Sequence, residues 1–143
     1  MVGLIIIGHG NFASGMASSL QLIAGEKEGI CFINFTENDT IHTLEEKIKK
    51  VFKQLEEKEQ ILVLCDLIGG SPFKSAVELA QQSEKSIEVI GGMNLPMLIE
   101  LSIAKEFVQT ASQLADRALE IGPSSIVKYV YKERKQDNSK EGI

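Results

Sequence analysis

Residues 2–25, VGLIIIGHGNFASGMASSLQLIAG, carry no Asp, Glu, Lys or Arg, and how this stretch is read decides the fold. An uncharged start of this length raises the question of a signal peptide or a membrane anchor. No Lys or Arg opens it, and Gly8-His9-Gly10-Asn11 interrupts the apolar run well short of the ~20 residues that a bilayer crossing needs. The segment therefore reads as a buried strand, a polar turn and a buried helix, in a protein expected to be cytoplasmic.

Working outward, short apolar runs rich in β-branched residues recur at 2–7, 30–34, 61–64 and 87–90, each long enough for a strand and too short for a helix. Helical patterns lie between them. Ile41, Leu44, Ile48, Val51, Phe52 and Leu55 repeat at three- and four-residue steps, with Asp39 or Thr40 available as a cap. Further helices are expected over 14–24, 72–82, 96–104 and 107–121, the last stopped by Gly122-Pro123. The alternation predicts an α/β fold, a doubly wound, mostly parallel sheet with helices on both faces, because right-handed crossovers place them there. Residues 125–131 mix apolar and polar positions and read as a C-terminal antiparallel edge strand open to exchange in a dimer. One domain is expected over 1–131, followed by a polar, frayed tail over 132–143.

Composition narrows the function. The 43% hydrophobic and 24% charged residues in 143 describe one folded domain. A formal charge of −5, with basic residues interleaved among acidic ones, offers no polycationic face, so nucleic acid is not an expected partner. Cys31 and Cys65 sit in apolar strand-like runs without C-x-x-C spacing and read as reduced core residues. With one His, one Asp and no thiolate cluster in the loops, neither a metal nor a cofactor is expected.

Doubly wound sheets gather reactive groups at the carboxyl ends of their strands. That rule selects Gly8-His9-Gly10-Asn11, Asp66 to Pro72, and Gly91-Gly92-Met93-Asn94. If the strand order is 2-1-3-4, His9 and Asp66 face each other at the switch point. A carboxylate that accepts the proton of one imidazole nitrogen leaves the other as a nucleophile, and it steadies the positive charge the ring acquires on phosphorylation. The glycines beside His9 leave room for a second macromolecule. The plainer alternative is a His that ends a strand and hydrogen-bonds locally; His42, on the expected solvent face of the second helix, is read that way. Ser71 is expected as N-cap and Pro72 as the first helical residue, so a helix start would aim its N–H groups at the His9 loop. Gly10, Gly69, Gly70 and Ser71 are the expected phosphate-binding positions, although an ordinary capped strand-to-helix turn explains the second loop as well.

HGNFASG at 9–15, LCDLIGGSPF at 64–73 and GGMNLPML at 91–98 resemble, in order and spacing, the mannose-family IIA component of the bacterial sugar phosphotransferase system. The resemblance implies a homodimeric α/β domain that accepts a phosphoryl group from phospho-HPr and passes it to a IIB component, serving the membrane IIC and IID components indirectly. By the same match His9 is phosphorylated through Nε2, Asp66 orients it, Ser71 helps hold the phosphoryl group, and the C-terminal strand is exchanged between subunits. Family members often continue into a fused IIB domain, which has no counterpart in the short polar tail here.

Other functional classes fit the sequence less well. Similar IIA domains act as phosphorylation sensors inside transcriptional regulators, but those need DNA-binding and ATPase modules. The phosphotransfer subunit of dihydroxyacetone kinases would carry a different sequence in place of GGSPF and NLPM. A receiver domain needs an acidic pair after its first strand, where this chain has Gly8-His9. Ser71, His9 and Asp66 name a hydrolase triad, but without a G-x-S-x-G elbow.

Overall fold

A computed structural model describes residues 2–133 of the chain. Four parallel strands, β1 (Gly3–His9), β2 (Ile30–Phe35), β3 (Gln60–Cys65) and β4 (Ser86–Gly91), form one sheet in the order β2-β1-β3-β4. Five helices complete the fold: α1 (Phe12–Ala24), α2 (Ile41–Gln54), α3 (Ser71–Gln82), α4 (Leu95–Ala104) and α5 (Ala111–Ser124). This is the doubly wound arrangement expected, with the switch point between β1 and β3.

The uncharged start of the chain becomes the centre of the sheet. Leu4 and Ile6 point into a core closed by α1, α4 and α5. Ile5 and Ile7, on the opposite face of the same strand, pack with α2 and α3. All four are fully buried, as are Leu62, Val63 and Leu64 on β3. A strand covered on both faces has no polar side to show, which is why this stretch is continuously apolar instead of alternating.

Helix starts follow local chemistry. Thr40 caps α2 in a reciprocal capping box with Thr43, and Thr110 does the same for α5 with Gln113. Asn94 caps α4 by accepting from the Met97 N–H, while its side-chain amide donates to the Gly122 carbonyl and to the Ser125 hydroxyl. Gly8 lies under the first turn of α1, where a Cβ would stand 2.5 Å from the Phe12 ring.

At the C-terminal end one expectation is corrected and another is not met within the single chain. The last helix starts at Ala111 and runs through Gly122 and Pro123 to Ser124. Beyond Pro123 the Ser125 N–H still donates to the Ile121 carbonyl at 3.1 Å, and Gly122 packs against Met97 where a Cβ would stand 2.5 Å from the Met97 methyl. Residues 125–131 form no strand: Ile126, Val127, Tyr129, Val130 and Tyr131 are 65–80% exposed. A strand requires a ladder partner, and the described residues of the single chain supply none. Of the tail expected over 132–143, Lys132 and Glu133 are exposed and outside any element, and residues 134–143 lie outside the described residues.

After β2 the chain is pinned by an ionic cluster. One Asp39 oxygen accepts from the Thr36 N–H and hydroxyl at 2.8 and 2.9 Å and from Lys47 Nζ at 2.7 Å, and the other accepts from the Thr43 hydroxyl at 2.9 Å. The Lys47 ammonium, then the Thr36 N–H, hold the Asp39 carboxyl well below the ordinary carboxylate range. A carboxyl depressed by folding contributes stability that is complete above its unfolded pKa of about 3.9 and fades as acid titrates the folded group. The urea midpoint of Asp39→Asn is therefore expected to lie below wild type above about pH 5, with the gap closing below about pH 3. A gap that does not change with pH would show that this carboxylate does not carry the effect.

Candidate functional site

The site stands at the carboxyl edge of the sheet, where β1 and β3 end side by side. His9 is the last residue of β1 and Asp66 follows β3 directly, its N–H donating to the Ile7 carbonyl at 3.1 Å. Asp66 Oδ2 accepts the His9 backbone N–H at 2.8 Å and lies 2.8 Å from His9 Nδ1. Asp66 Oδ1 accepts the Leu67 N–H at 2.9 Å. The carboxylate is thus fixed at both oxygens. Its side chain is 11% exposed, while the imidazole beside it is 43% exposed.

The tautomer follows from the donor and acceptor inventory. An ionised carboxylate only accepts, so Nδ1 carries the ring proton and Nε2 keeps its lone pair. Near Nε2 runs the backbone of the second loop. A Cβ added to Gly70 would stand 3.1 Å from His9 Cε1 and 3.6 Å from Nε2, and only hydrogen occupies that place. Gly69 takes φ +83°, a left-handed conformation that lets the loop turn sharply into α3. Gly91, at the end of β4, lets this loop settle on the sheet edge, because a Cβ there would meet the Ile68 backbone at 2.6 Å.

The start of α3 is offset by one residue from the expectation. Gly70 is the N-cap, Ser71 is the first helical residue, and no side chain caps the helix. The extended backbone of Gly70 and the helical placement of Pro72 move the cap back by one. Among the described residues, the Ser71 hydroxyl makes no hydrogen bond, and the first helical bond of α3 is Lys74 N–H to the Gly70 carbonyl. The N–H groups of Ser71 and Phe73 are left for a ligand or for water. Gly10 turns the chain after His9 with φ +60°, and its own N–H donates to the Phe35 carbonyl at 2.8 Å.

His9, Asp66, Gly69, Gly70 and Ser71 are therefore neighbours. His42 lies apart, exposed on the first turn of α2. Cys65 is buried at the end of β3; burial, and next the charge of Asp66, push its thiol up to about 12. Burial also raises the thiol of the half-buried Cys31. Among the described residues no three His, Cys, Asp or Glu side chains gather as a metal site, and no helix is long and apolar enough to cross a membrane. Sequence reasoning missed Phe35, whose ring meets the His9 imidazole edge to face with centroids 5.8 Å apart. The run read as the second strand, 30–34, stops one residue short of Phe35, which the register sets beside His9.

Comparison with known proteins agrees with this geometry. The profile of the family described as "PTS system fructose IIA component" matches residues 3–119. The chain is 31% identical over 106 residues to the PTS fructose-specific EIIA component of Bacillus subtilis, covering 74% of this chain and 72% of that protein. It is 30% identical over 125 residues to the mannose-specific EIIAB component of Escherichia coli, covering 87% of this chain and spanning 38% of that longer protein. Among solved structures, the phosphotransferase system component EIIA of Streptococcus agalactiae superposes with a TM-score of 0.82 at 33% identity, covering 90% of this chain and 97% of that one. The mannose/sorbose-specific IIA subunit of Enterococcus faecalis superposes with a TM-score of 0.84 at 28% identity, covering 93% and 98%. With a family match across most of its length and the same fold in its relatives, the chain belongs to the IIA components of the sugar phosphotransferase system.

Proposed function

We propose that the protein is a cytoplasmic phosphoryl carrier whose reactive atom is His9 Nε2, charged by phospho-HPr and discharged to a IIB component. The observation that carries this reading is the 2.8 Å contact between His9 Nδ1 and Asp66, which leaves Nε2 as the nucleophile on an exposed ring. In the forward step Nε2 attacks phosphorus, the new N–P bond forms as the donor's bond to phosphorus breaks, and the Nδ1 proton stays against Asp66. The ring then carries positive charge, which the adjacent carboxylate offsets. The phosphoryl oxygens are held by the Ser71 hydroxyl and by N–H groups at the start of α3, with Gly69 and Gly70 keeping side-chain bulk away and Gly10 opening the approach. Transfer to IIB reverses these steps. The membrane IIC and IID components are served indirectly, through IIB.

The working unit is residues 1–131, with 132–143 as a polar tail. Two such units form a homodimer by exchanging residues 125–131 as edge strands. The support is that five large apolar side chains between Ile126 and Tyr131 are left exposed by the described residues of their own chain.

Incubation with phosphoenolpyruvate, Enzyme I and HPr is expected to add one acid-labile phosphoryl group to the wild type and none to His9→Ala; uptake by the variant refutes the assignment. Asp66→Asn should fold normally and take up phosphate roughly 10²-fold more slowly, since the Asn amide no longer enforces the Nδ1–H tautomer. Gly70→Ala isolates access to Nε2. Gly70 has φ −79° and ψ 176°, which any residue adopts, so Ala adds only a methyl group beside the ring. A rate about tenfold lower at unchanged thermal stability is expected, and a wild-type rate would mean that phosphorus approaches from elsewhere. For the dimer, sedimentation of a chain ending at Ser124 should show a folded monomer where the full chain is a dimer; a persistent dimer rules out exchange as its basis.

A further inference from the structure

Asp66 restrains the His9 imidazole through one ring atom. A hydrogen bond at Nδ1 opposes rotation about Cβ–Cγ alone, but joint rotation about Cα–Cβ and Cβ–Cγ still rocks the ring with Nδ1 nearly in place. Transfer, however, needs Nε2 aligned with the incoming phosphorus. Phe35 closes that freedom. It pairs with His9 in the β1–β2 register, and its ring lies 5.8 Å from the imidazole, centroid to centroid, at an interplanar angle of 74°. Edge-to-face is the arrangement that aromatic quadrupoles favour, so the contact selects an orientation and does more than fill space.

The wall is itself fixed. The Phe35 carbonyl accepts the Gly10 N–H, tying it to the residue after His9. Its neighbour Asn34 is held through its carbonyl by Lys47 Nζ at 2.9 Å and through its side chain by Ser14, which donates its N–H at 3.1 Å and whose hydroxyl accepts the Asn34 amide at 3.0 Å. On the other side, Thr36 is bound twice to Asp39, which Lys47 bridges back to Asn34. Phe35 also packs against the core under α2 and α3. Five side chains, Ser14, Asn34, Thr36, Asp39 and Lys47, thus hold the chain on either side of Phe35.

We infer that Phe35 is a positioning residue that sets the plane of the His9 imidazole, so that the carboxylate fixes which nitrogen is free and the phenyl ring fixes where that nitrogen points. This rests on the carrier reading of His9. Phe35→Leu keeps apolar volume and removes the ring. Single-turnover phosphorylation of the full chain by phospho-HPr should slow about tenfold at an unchanged half-saturating HPr concentration, and Phe35→Tyr should restore the rate. In the unphosphorylated wild type, NMR should show Overhauser contacts between the Phe35 ring protons and the His9 ring C–H groups, with the His9 signals displaced by ring current and that displacement lost in Phe35→Leu. A wild type lacking the contact, a Phe35→Leu rate equal to wild type, or a defect confined to HPr affinity overturns the inference. The wild-type measurement decides even where Phe35→Leu does not fold. Because it requires no phosphoryl transfer, a chain that phospho-HPr leaves unmodified refutes the carrier reading separately.

Discussion

Parallel pairing of β1 with a strand on each side brings the site together. The β1–β3 register runs Ile7 against Cys65, so the next residue of β3's chain, Asp66, arrives beside the end of β1. The β1–β2 register sets His9 against Phe35. A parallel ladder slipped by one residue on either side would turn the outgoing side chains to the opposite face. Register is held by the buried isoleucines and leucines of β1 and β3, whose two faces fill two separate cores. Hydrophobic packing well away from the surface therefore sets a hydrogen-bond length at the surface.

Asp66 illustrates how little machinery such a site needs. Three hydrogen bonds reach one carboxylate, two from backbone N–H groups and one from the imidazole. The backbone donors keep the carboxylate in place whether or not the ring is present to bond it, so the acceptor is organised in advance of any change at the ring. The exposed edge of the ring, by contrast, is bordered by glycine and an uncapped helix start, which leaves room and donors for a polyanionic group.

Much of this was legible in the sequence because the decisive signals are strong. Continuous apolar runs mark doubly covered strands, and their alternation with helices points to a parallel sheet; the order 2-1-3-4 entered as a condition, which the structure meets. His9 and Asp66 were identifiable because they terminate two such runs. What escaped reading depends on geometry that residue type does not encode. Ser71 and Gly70 both suit an N-cap, and only the backbone angles decide between them. Gly122-Pro123 usually ends a helix, but here the Ser125 N–H still reaches the Ile121 carbonyl beyond Pro123. The mixed apolar and polar positions of residues 125–131 suit an edge strand, and among the described residues no ladder partner lies beside them. Phe35 was hidden because an aromatic at a strand end is ordinary until the register shows what lies next to it.

Gly91 carries a consequence for variation among related carriers. By accepting the Ile68 backbone against its bare Cα, it anchors the main chain of the second loop, while the side chains of Leu67 and Ile68 remain 55% and 76% exposed. Scaffold and contact surface are thereby uncoupled within three residues. On the proposed carrier reading, substitutions at these two positions would alter the shape and polarity met by a visiting protein without displacing the His9 ring, so partner preference could diverge while the chemistry stayed the same.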